Sequence, residues 1–274
     1  MFLLYVIFPI FESIWISFYQ WDGLGPKTWV GLQNYRDLFA DDSFYTSLKN
    51  NLIWLVLYLL AIPMGLTVAL FLNQTVTGIR LYKSLFFFPF VISQVVVGLI
   101  FTWFYAPDFG LLPKLLQALT GSGKDFAVLA DERYATLGVI AAGLWPQTAY
   151  CMILYLTGLN NINPEQVEAA RMDNAKGLSM LWHIILPQLR PATFIAFVVT
   201  VIGALRSFDL ISVMTLGGPY GSTRVLSYFM FEQALSEYGT AMGYGAAIAV
   251  VLFAIMLVFI TIFIVRMLSQ ERNS

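Results

Sequence analysis

Charge and reactive side chains are what this sequence has least of. Only 11% of its 274 residues are charged, where a soluble domain carries roughly 25%. There is one cysteine, Cys151, so no disulfide can close within the chain. There is one histidine, His183. A histidine-built metal site or a His-dependent triad is therefore not expected, and the chain does not read as an enzyme. The net charge is -1, with 15 Lys and Arg against 16 Asp and Glu, and gives no reason to expect a nucleic-acid partner. The first apolar run, Met1 to Tyr19, has no basic region ahead of it and no small-residue cleavage pattern, so no cleavable leader is expected.

What is abundant is apolar surface. The chain is 59% hydrophobic with a mean hydropathy of +0.74, which places it among integral membrane proteins. A helix needs about 20 apolar residues to cross the hydrocarbon core. Six runs reach or approach that length, at about 1–20, 50–72, 84–105, 135–158, 191–214 and 241–266. The expected fold is all-α, one polytopic membrane domain over 1–274 with six transmembrane helices. Glu12 in the first run should face protein or water rather than lipid. Pro63, Pro89 and Pro146 interrupt runs two, three and four, which membranes tolerate where neighbours satisfy the freed backbone groups. Between runs one and two, Trp21, Trp29 and Tyr35 suit a membrane interface and 32–39 reads as a short surface helix. Residues 106–134 read as an exposed connection with a short helix, and Gly217-Gly218-Pro219 as a helix stop.

One polar stretch stands apart, Asn163 to Pro187. Asn163 is a good N-cap, Pro164 suits the first helical position, and Glu165 favours the first turn. A short helix should begin near Pro164. Asn174 and Gly177 accept a positive φ more readily than other residues and should end it. A second helix should start near Leu178, with Leu178, Leu181, Trp182 and Ile185 on roughly one face, packed back on the membrane domain. The unit is a helix-turn-helix, 159–190 with its flanks, held outside the bilayer.

Glu168-Ala169-Ala170, three residues, Asn174, nine residues, then Ile184-Ile185-Leu186-Pro187 resembles the EAA loop of ABC-importer permeases. The spacing matches throughout, with Asn174 where the family has glycine. Phe208-Asp209-Leu210 followed by Thr215-Leu216-Gly217-Gly218-Pro219 is similar to the fifth-span region of carbohydrate permeases of the maltose-permease type. The resemblance implies a multi-pass protein of the cell (inner) membrane whose EAA loop is cytoplasmic and inserts into a cleft on a separate ATPase. Glu165, Glu168, Ala169, Ala170, Arg171, Asp173, Asn174 and Gly177 would form the coupling surface. It implies a second homologous permease, an ATPase dimer, and an extracytoplasmic solute-binding protein. It implies no cofactor on this chain, ATP and Mg being bound by the partner subunits. Basic residues divide evenly between the two sides in this orientation, with denser placement in the shorter inside loops, so the resemblance carries the orientation more than the charges do.

Sugar recognition needs amide and hydroxyl groups beside an aromatic face. Trp145-Pro146-Gln147-Thr148-Ala149-Tyr150 offers these inside the fourth run. By resemblance, Gly143, Pro146, Gln147 and Tyr150, with Thr200, Ala204 and Ser207 in the fifth run, line a cavity for the cargo. Helix-helix packing is the other use for such groups. Arg206 and Asp209, three residues apart, should share a helix face. Either they pair, or Arg206 is free to meet an anionic sugar derivative. Gly121-Ser122-Gly123-Lys124 lacks the first glycine and the final Ser/Thr of a phosphate loop, so no ATP site is expected there. His183 has no partner cluster and reads as a surface or packing residue. The sequence thus points to the membrane subunit of an ATP-driven sugar importer. An ion-coupled secondary transporter using Asp209 or Glu12 is the alternative, as is the same architecture carrying a polyol or glycerol phosphate.

Overall fold

The computed structural model describes residues 1–74, 77–121, 126–236 and 240–271, with side chains to residue 266. The phosphate-loop-like residues Ser122 to Lys124 lie outside the described residues. The fold is mostly helical, as the apolar runs require, since backbone groups in lipid must be satisfied within a segment. A π-helical turn, Leu3–Ile7, leads into α1 (Phe8–Ile16). A two-stranded antiparallel hairpin follows, β1 (Tyr19–Gln20) with β2 (Thr28–Trp29), Tyr19 opposite Trp29. Then come α2 (Gln33–Ala40), α3 (Asp42–Tyr58), α4 (Ala61–Leu72), α5 (Ile79–Val91), α6 (Gln94–Tyr105), α7 (Leu111–Thr120) and α8 (Ala135–Asn160). The chain ends with α9 (Pro164–Met172), α10 (Leu178–Met180), α11 (Leu186–Gln188), α12 (Arg190–Leu205), α13 (Asp209–Met214), α14 (Leu226–Ala234) and α15 (Met242–Glu271).

Among the described residues, three helical stretches are long and apolar enough to cross a membrane: Asp42–Leu72, Ala135–Asn160 and Met242–Arg266. Two further pairs are bent, Ile79–Val91 with Gln94–Tyr105 by 100° and Leu178–Gln188 with Arg190–Leu205 by 72°, giving up to five spans if each pair is one. The first run forms a shorter apolar helix, Leu3–Ile16. The hairpin departs from the all-α expectation. Its cause is local: Asp22 Oδ1 accepts the backbone N–H of Leu24 at 2.9 Å and of Gly25 at 2.7 Å, and Trp21 Nε1 donates to the Gly25 carbonyl at 2.9 Å. These two N–H groups, Gly25 first, hold the Asp22 carboxyl below the usual carboxylate range.

The chain divides into two compact units. The first comprises Met1–Trp54, Gly98–Val139 and Ile202–Ser274. Here α15 is the common support, contacted by α1, α2, β1 and α14. Glycines allow this: a Cβ on Gly245 would lie 2.5 Å from Ala234 Cβ, and one on Gly243 would run into the Tyr19 carbonyl. Buried Asn34 donates Nδ2 to the carbonyls of Ser17 (2.8 Å) and Tyr19 (2.9 Å), and Tyr244 donates to Asp41 at 3.0 Å. The connection after α13 is tied down by its own polar groups. Thr215 and Thr223 hydroxyls bond at 2.8 Å, Asn50 Nδ2 donates to the carbonyls of Ser222 (2.7 Å) and Arg224 (2.8 Å), and Asn51 Oδ1 accepts the Leu226 N–H at 2.9 Å. Arg224 and Glu232 form a partly exposed ion pair of 2.7 Å.

The second unit comprises Leu55–Val97 and Ile140–Val201. Its core joins Leu72 of α4, Met152, Tyr155 and Leu159 of α8, and Leu189. A Cβ on Gly158 would lie 2.8 Å from Leu189 Cδ2, so glycine here leaves room for the buried Leu189 side chain. Tyr155 donates to Thr193 Oγ1 at 3.1 Å and Tyr58 to the Gly143 carbonyl at 3.0 Å. These satisfy polar groups that would be costly to leave unpaired in a low-dielectric interior.

Candidate functional site

The polar segment folds as its capping residues dictate. Asn163 has an extended backbone and its Oδ1 accepts the Glu165 N–H at 2.9 Å, with Pro164 as the first helical residue of α9. The helix ends on a turn in which Asn174 takes φ 63° and Gly177 φ 55°. Backbone N–H groups of Asp173, Asn174 and Ala175 bond back to Ala169, Arg171 and Ala170 at 3.1, 3.0 and 2.9 Å, so the last carbonyls of α9 are satisfied. Glu165, Glu168, Ala169, Arg171, Asp173, Asn174 and Gly177 are exposed, and Ala170 is buried. These positions therefore occur on one short element, with Ala170 turned inward.

After Gly177 the chain runs helically from α10 through a π turn, Leu181–Ile185, into α11. The expected packed face is only partly right. Ile185 packs on the core of the second unit and Met180 is buried, but Leu178 is 73% exposed and Trp182 65%. Leu178 and Trp182 are four residues apart and so face one way, while Met180 and Ile184 face another. His183 is exposed, its Nδ1 3.0 Å from the Ser179 carbonyl, as a surface histidine would be.

The groups expected to meet a cargo fall in both units. In the second unit, Gly143 and Pro146 are buried, and the Gly143 carbonyl is used by Tyr58. Tyr150 is half-buried with its ring 5.3 Å from that of Phe90. Gln147 is half-buried and donates Nε2 to Thr200 Oγ1 at 2.9 Å, and Thr200 is fully buried. In the first unit, Ala204 is fully buried, Ser207 Oγ donates to the Gly203 carbonyl at 3.1 Å, and Arg206 is exposed.

The expectation that Arg206 and Asp209 share one helix face fails. α12 ends at Leu205 and α13 begins at Asp209, with Phe208 at φ -136° between them. The Ser227 hydroxyl bonds to the Ser207 carbonyl inside this break, taking an acceptor that a continuous helix would have used. Both charged residues are exposed, and among the described residues no ion pair joins them.

Sequence reasoning did not foresee a cavity of about 770 Å³ in the second unit, lined by apolar residues including Met64, Phe86, Pro89, Leu144 and Trp145. Thr148 also lines it, and Thr148 Oγ1 has no hydrogen-bond partner among the described residues. Pro89 was the available signal, since a proline deep in an apolar helix marks a place where packing departs from the regular.

Apolar helices of membrane-crossing length and broken apolar helix pairs, beside a capped polar helix-turn-helix, are the architecture of a multi-pass membrane protein. The chain belongs to the family of binding-protein-dependent transport system inner membrane components, which matches residues 61–273. It is therefore an ABC-importer permease, and the ion-coupled secondary transporter is set aside. It is 37% identical over 260 residues to the probable ABC transporter permease protein YurN of Bacillus subtilis, covering 93% of this chain and 88% of that one. It is 33% identical over 255 residues to the multiple sugar-binding transport system permease protein MsmF of Streptococcus mutans, covering 92% and 86%. The fold is similar to a chain of a bacterial alginate ABC transporter solved in complex with an alginate pentasaccharide-bound periplasmic protein. That match has a TM-score of 0.84 at 22% identity and covers 96% of this chain and 88% of the other.

Proposed function

We propose that this chain is one of two membrane-spanning subunits of an ATP-driven importer and passes a sugar or sugar derivative inward from an extracytoplasmic binding protein. The observation that carries the reading is α9: a capped, exposed helix with Glu165, Glu168 and Arg171 on its surface, ended by a positive-φ turn at Asn174. In this reading six spans cross the cell membrane, and the segment 159–190 lies on the cytoplasmic side. α9 enters a cleft on a separate ATPase subunit, and exposed Met172, Leu178 and Trp182 extend the surface that the ATPase covers. A compact helix fixed at both ends to apolar helices moves as a rigid body, so closure of the ATPase dimer shifts the packing of the spans. ATP and Mg are held by those partner subunits. The inner-membrane-component family and the sugar-transport name of MsmF support a binding-protein partner and a sugar cargo. Gln147 and Tyr150 in one unit, and Ser207 and Arg206 in the other, are the cargo-contact candidates that reach the surface.

A second reading of the cargo is favoured by one observation. Arg206 is exposed and unpaired with Asp209, so its guanidinium is available to an anion. A sugar acid or a glycerol-phosphate-like cargo would use it.

The test is purification through a tag on this chain in mild detergent, identification of co-purifying polypeptides, and reconstitution into liposomes. Uptake of labelled maltose, diacetylchitobiose, alginate oligosaccharide and sn-glycerol 3-phosphate is then measured with ATP inside. An ATPase and a second permease are expected, with loss of the ATPase when Glu168 and Ala169 are replaced by arginine. A stable particle of this chain alone, or uptake indifferent to ATP, would overturn the reading.

A further inference from the structure

Thr200 and Gln147 were expected to meet the cargo alike, but the structure gives them different positions. Thr200 is 0% exposed, and its Oγ1 receives the Gln147 Nε2 hydrogen at 2.9 Å. Cys151, also 0% exposed, brings Sγ to 3.7 Å from Thr200 Oγ1 and 4.0 Å from Gln147 Nε2. Ala61 and Ala196, both 0% exposed, pack on Cys151, and buried Gly65 backs directly onto its Cβ. Of these six residues only Gln147 reaches the surface of the chain. Thr193 and Thr215 donate their hydroxyls to the carbonyl four residues back, as helical threonines commonly do. The Thr200 hydroxyl meets side chains instead.

We infer that Thr200 is a positioning residue and that Gln147 alone of the pair meets the cargo, presenting Oε1 as an acceptor to a cargo hydroxyl. This rests on the reading that Gln147 contacts the cargo. A glutamine side chain has three rotatable bonds, and an unheld amide could offer the cargo either its donor or its acceptor end. With Nε2 turned inward to Thr200 and Cys151, the outward end is the carbonyl oxygen. The recognised group on the cargo must then be a donor, which a sugar hydroxyl supplies and a fluorine or methoxy group at the same carbon does not. Gln147 also covers part of Cys151, beside Thr200, Gly65, Ala61 and Ala196 and the partly buried Ile62, Leu144 and Leu154 packed against the same cluster.

Cys151 is the chain's sole cysteine, so a thiol reagent reads that cover without knowledge of the cargo. The assembled importer is treated with N-ethylmaleimide and the Cys151 peptide is quantified by mass spectrometry. Wild type should label slowly. Thr200→Val keeps the volume but cannot accept the amide hydrogen, and labelling should rise about tenfold. Thr200→Ser should return it to within about twofold of wild type. Labelling of Thr200→Val as slow as wild type, with the complex intact by size-exclusion, would overturn the positioning role. In the same preparations, uptake of whichever of the four named substrates is transported should show half-saturation raised about threefold to tenfold by Thr200→Val, with maximal rate within about twofold. A fluorinated analogue should lose its penalty in Gln147→Ala. Fast thiol labelling in Thr200→Val, with uptake indifferent to both substitutions, would leave the lock standing and remove the cargo contact. Slow labelling with altered half-saturation would do the reverse.

Discussion

Gly65 lies directly against Cys151. A methyl group on Gly65 would sit 2.5 Å from Cys151 Cβ and 2.8 Å from the Met152 backbone nitrogen. Real carbon contacts do not come so close, so α4 and α8 touch here because Gly65 brings no side chain to meet Cys151.

Gly65→Ala should therefore destabilise the second unit by about 1–3 kcal/mol, the usual cost of overpacking a close-packed core. Cys151→Gly in that background should restore only part of the loss. It removes the Cβ but leaves the Met152 backbone in the way, and adds about 1 kcal/mol for glycine within a helix. Thermal unfolding followed by size-exclusion in detergent checks both. An unchanged midpoint for Gly65→Ala would mean that the helices separate freely at this contact.

Asn50 makes a second prediction in the first unit. It is 5% exposed, and its amide nitrogen satisfies the carbonyls of both Ser222 and Arg224. Asn50→Leu conserves size but leaves two acceptors without that donor, a cost of about 1–3 kcal/mol. Asn50→Asp should be worse at neutral pH, because a carboxylate would face two carbonyl oxygens and offer no hydrogen. Limited proteolysis at Arg224 should rise in the same order. Equal stability for the two variants would show that the amide's donor character is not what holds the connection.

How much of this was legible in advance depended on where the determining contacts lie along the chain. The turn of 163–177 was readable because its causes are local: Asn163 caps the next residues, Pro164 starts the helix, and Asn174 accepts the positive φ that ends it. The hairpin at Tyr19 to Trp29 carried a local signal too, Asp22-Gly23, but its strands are two residues each and the apolar pattern around them reads as helix. The break between Leu205 and Asp209 was not readable. Arg206, Ser207 and Phe208 contain neither glycine nor proline, and the Ser227 hydroxyl that occupies the Ser207 carbonyl comes from 20 residues away. Periodicity found the apolar stripe through Leu178 and Trp182 but not what covers it, because a stripe that packs inward and one that awaits a partner are spelled alike.

Asn174 tests the coupling turn. At φ 63° a glycine is at least as comfortable as asparagine, so Asn174→Gly should leave uptake and ATPase co-purification within about twofold of wild type. A β-branched residue in this left-handed region costs about 1–2 kcal/mol, and Asn174→Val should loosen the end of α9. Co-purifying ATPase and uptake should fall together. If Asn174→Val lowers uptake while retaining a full complement of ATPase, the turn transmits motion without governing docking.

Arg206 separates the two readings of the cargo. Among the described residues it has no ion pair, with Asp209 or any other acid, so substituting it strands no carboxylate there. Any effect on uptake then reports on the cargo rather than on a broken salt bridge. Arg206→Gln should raise half-saturation for an anionic cargo by about tenfold or more, since a hydrogen bond to a charged group contributes about 1.5–3 kcal/mol. For a neutral sugar the same change should shift half-saturation by about threefold at most, and Arg206→Lys should rescue only the anionic case, and only in part, because the planar fork is lost. Asp209→Asn serves as the control. It should not mimic Arg206→Gln, because α13 begins at Asp209 and the two side chains no longer belong to one helix. Identical kinetics for both single variants would restore the paired arrangement that the continuous helix suggested, and uptake of every substrate unchanged in Arg206→Gln would remove Arg206 from the cargo path altogether.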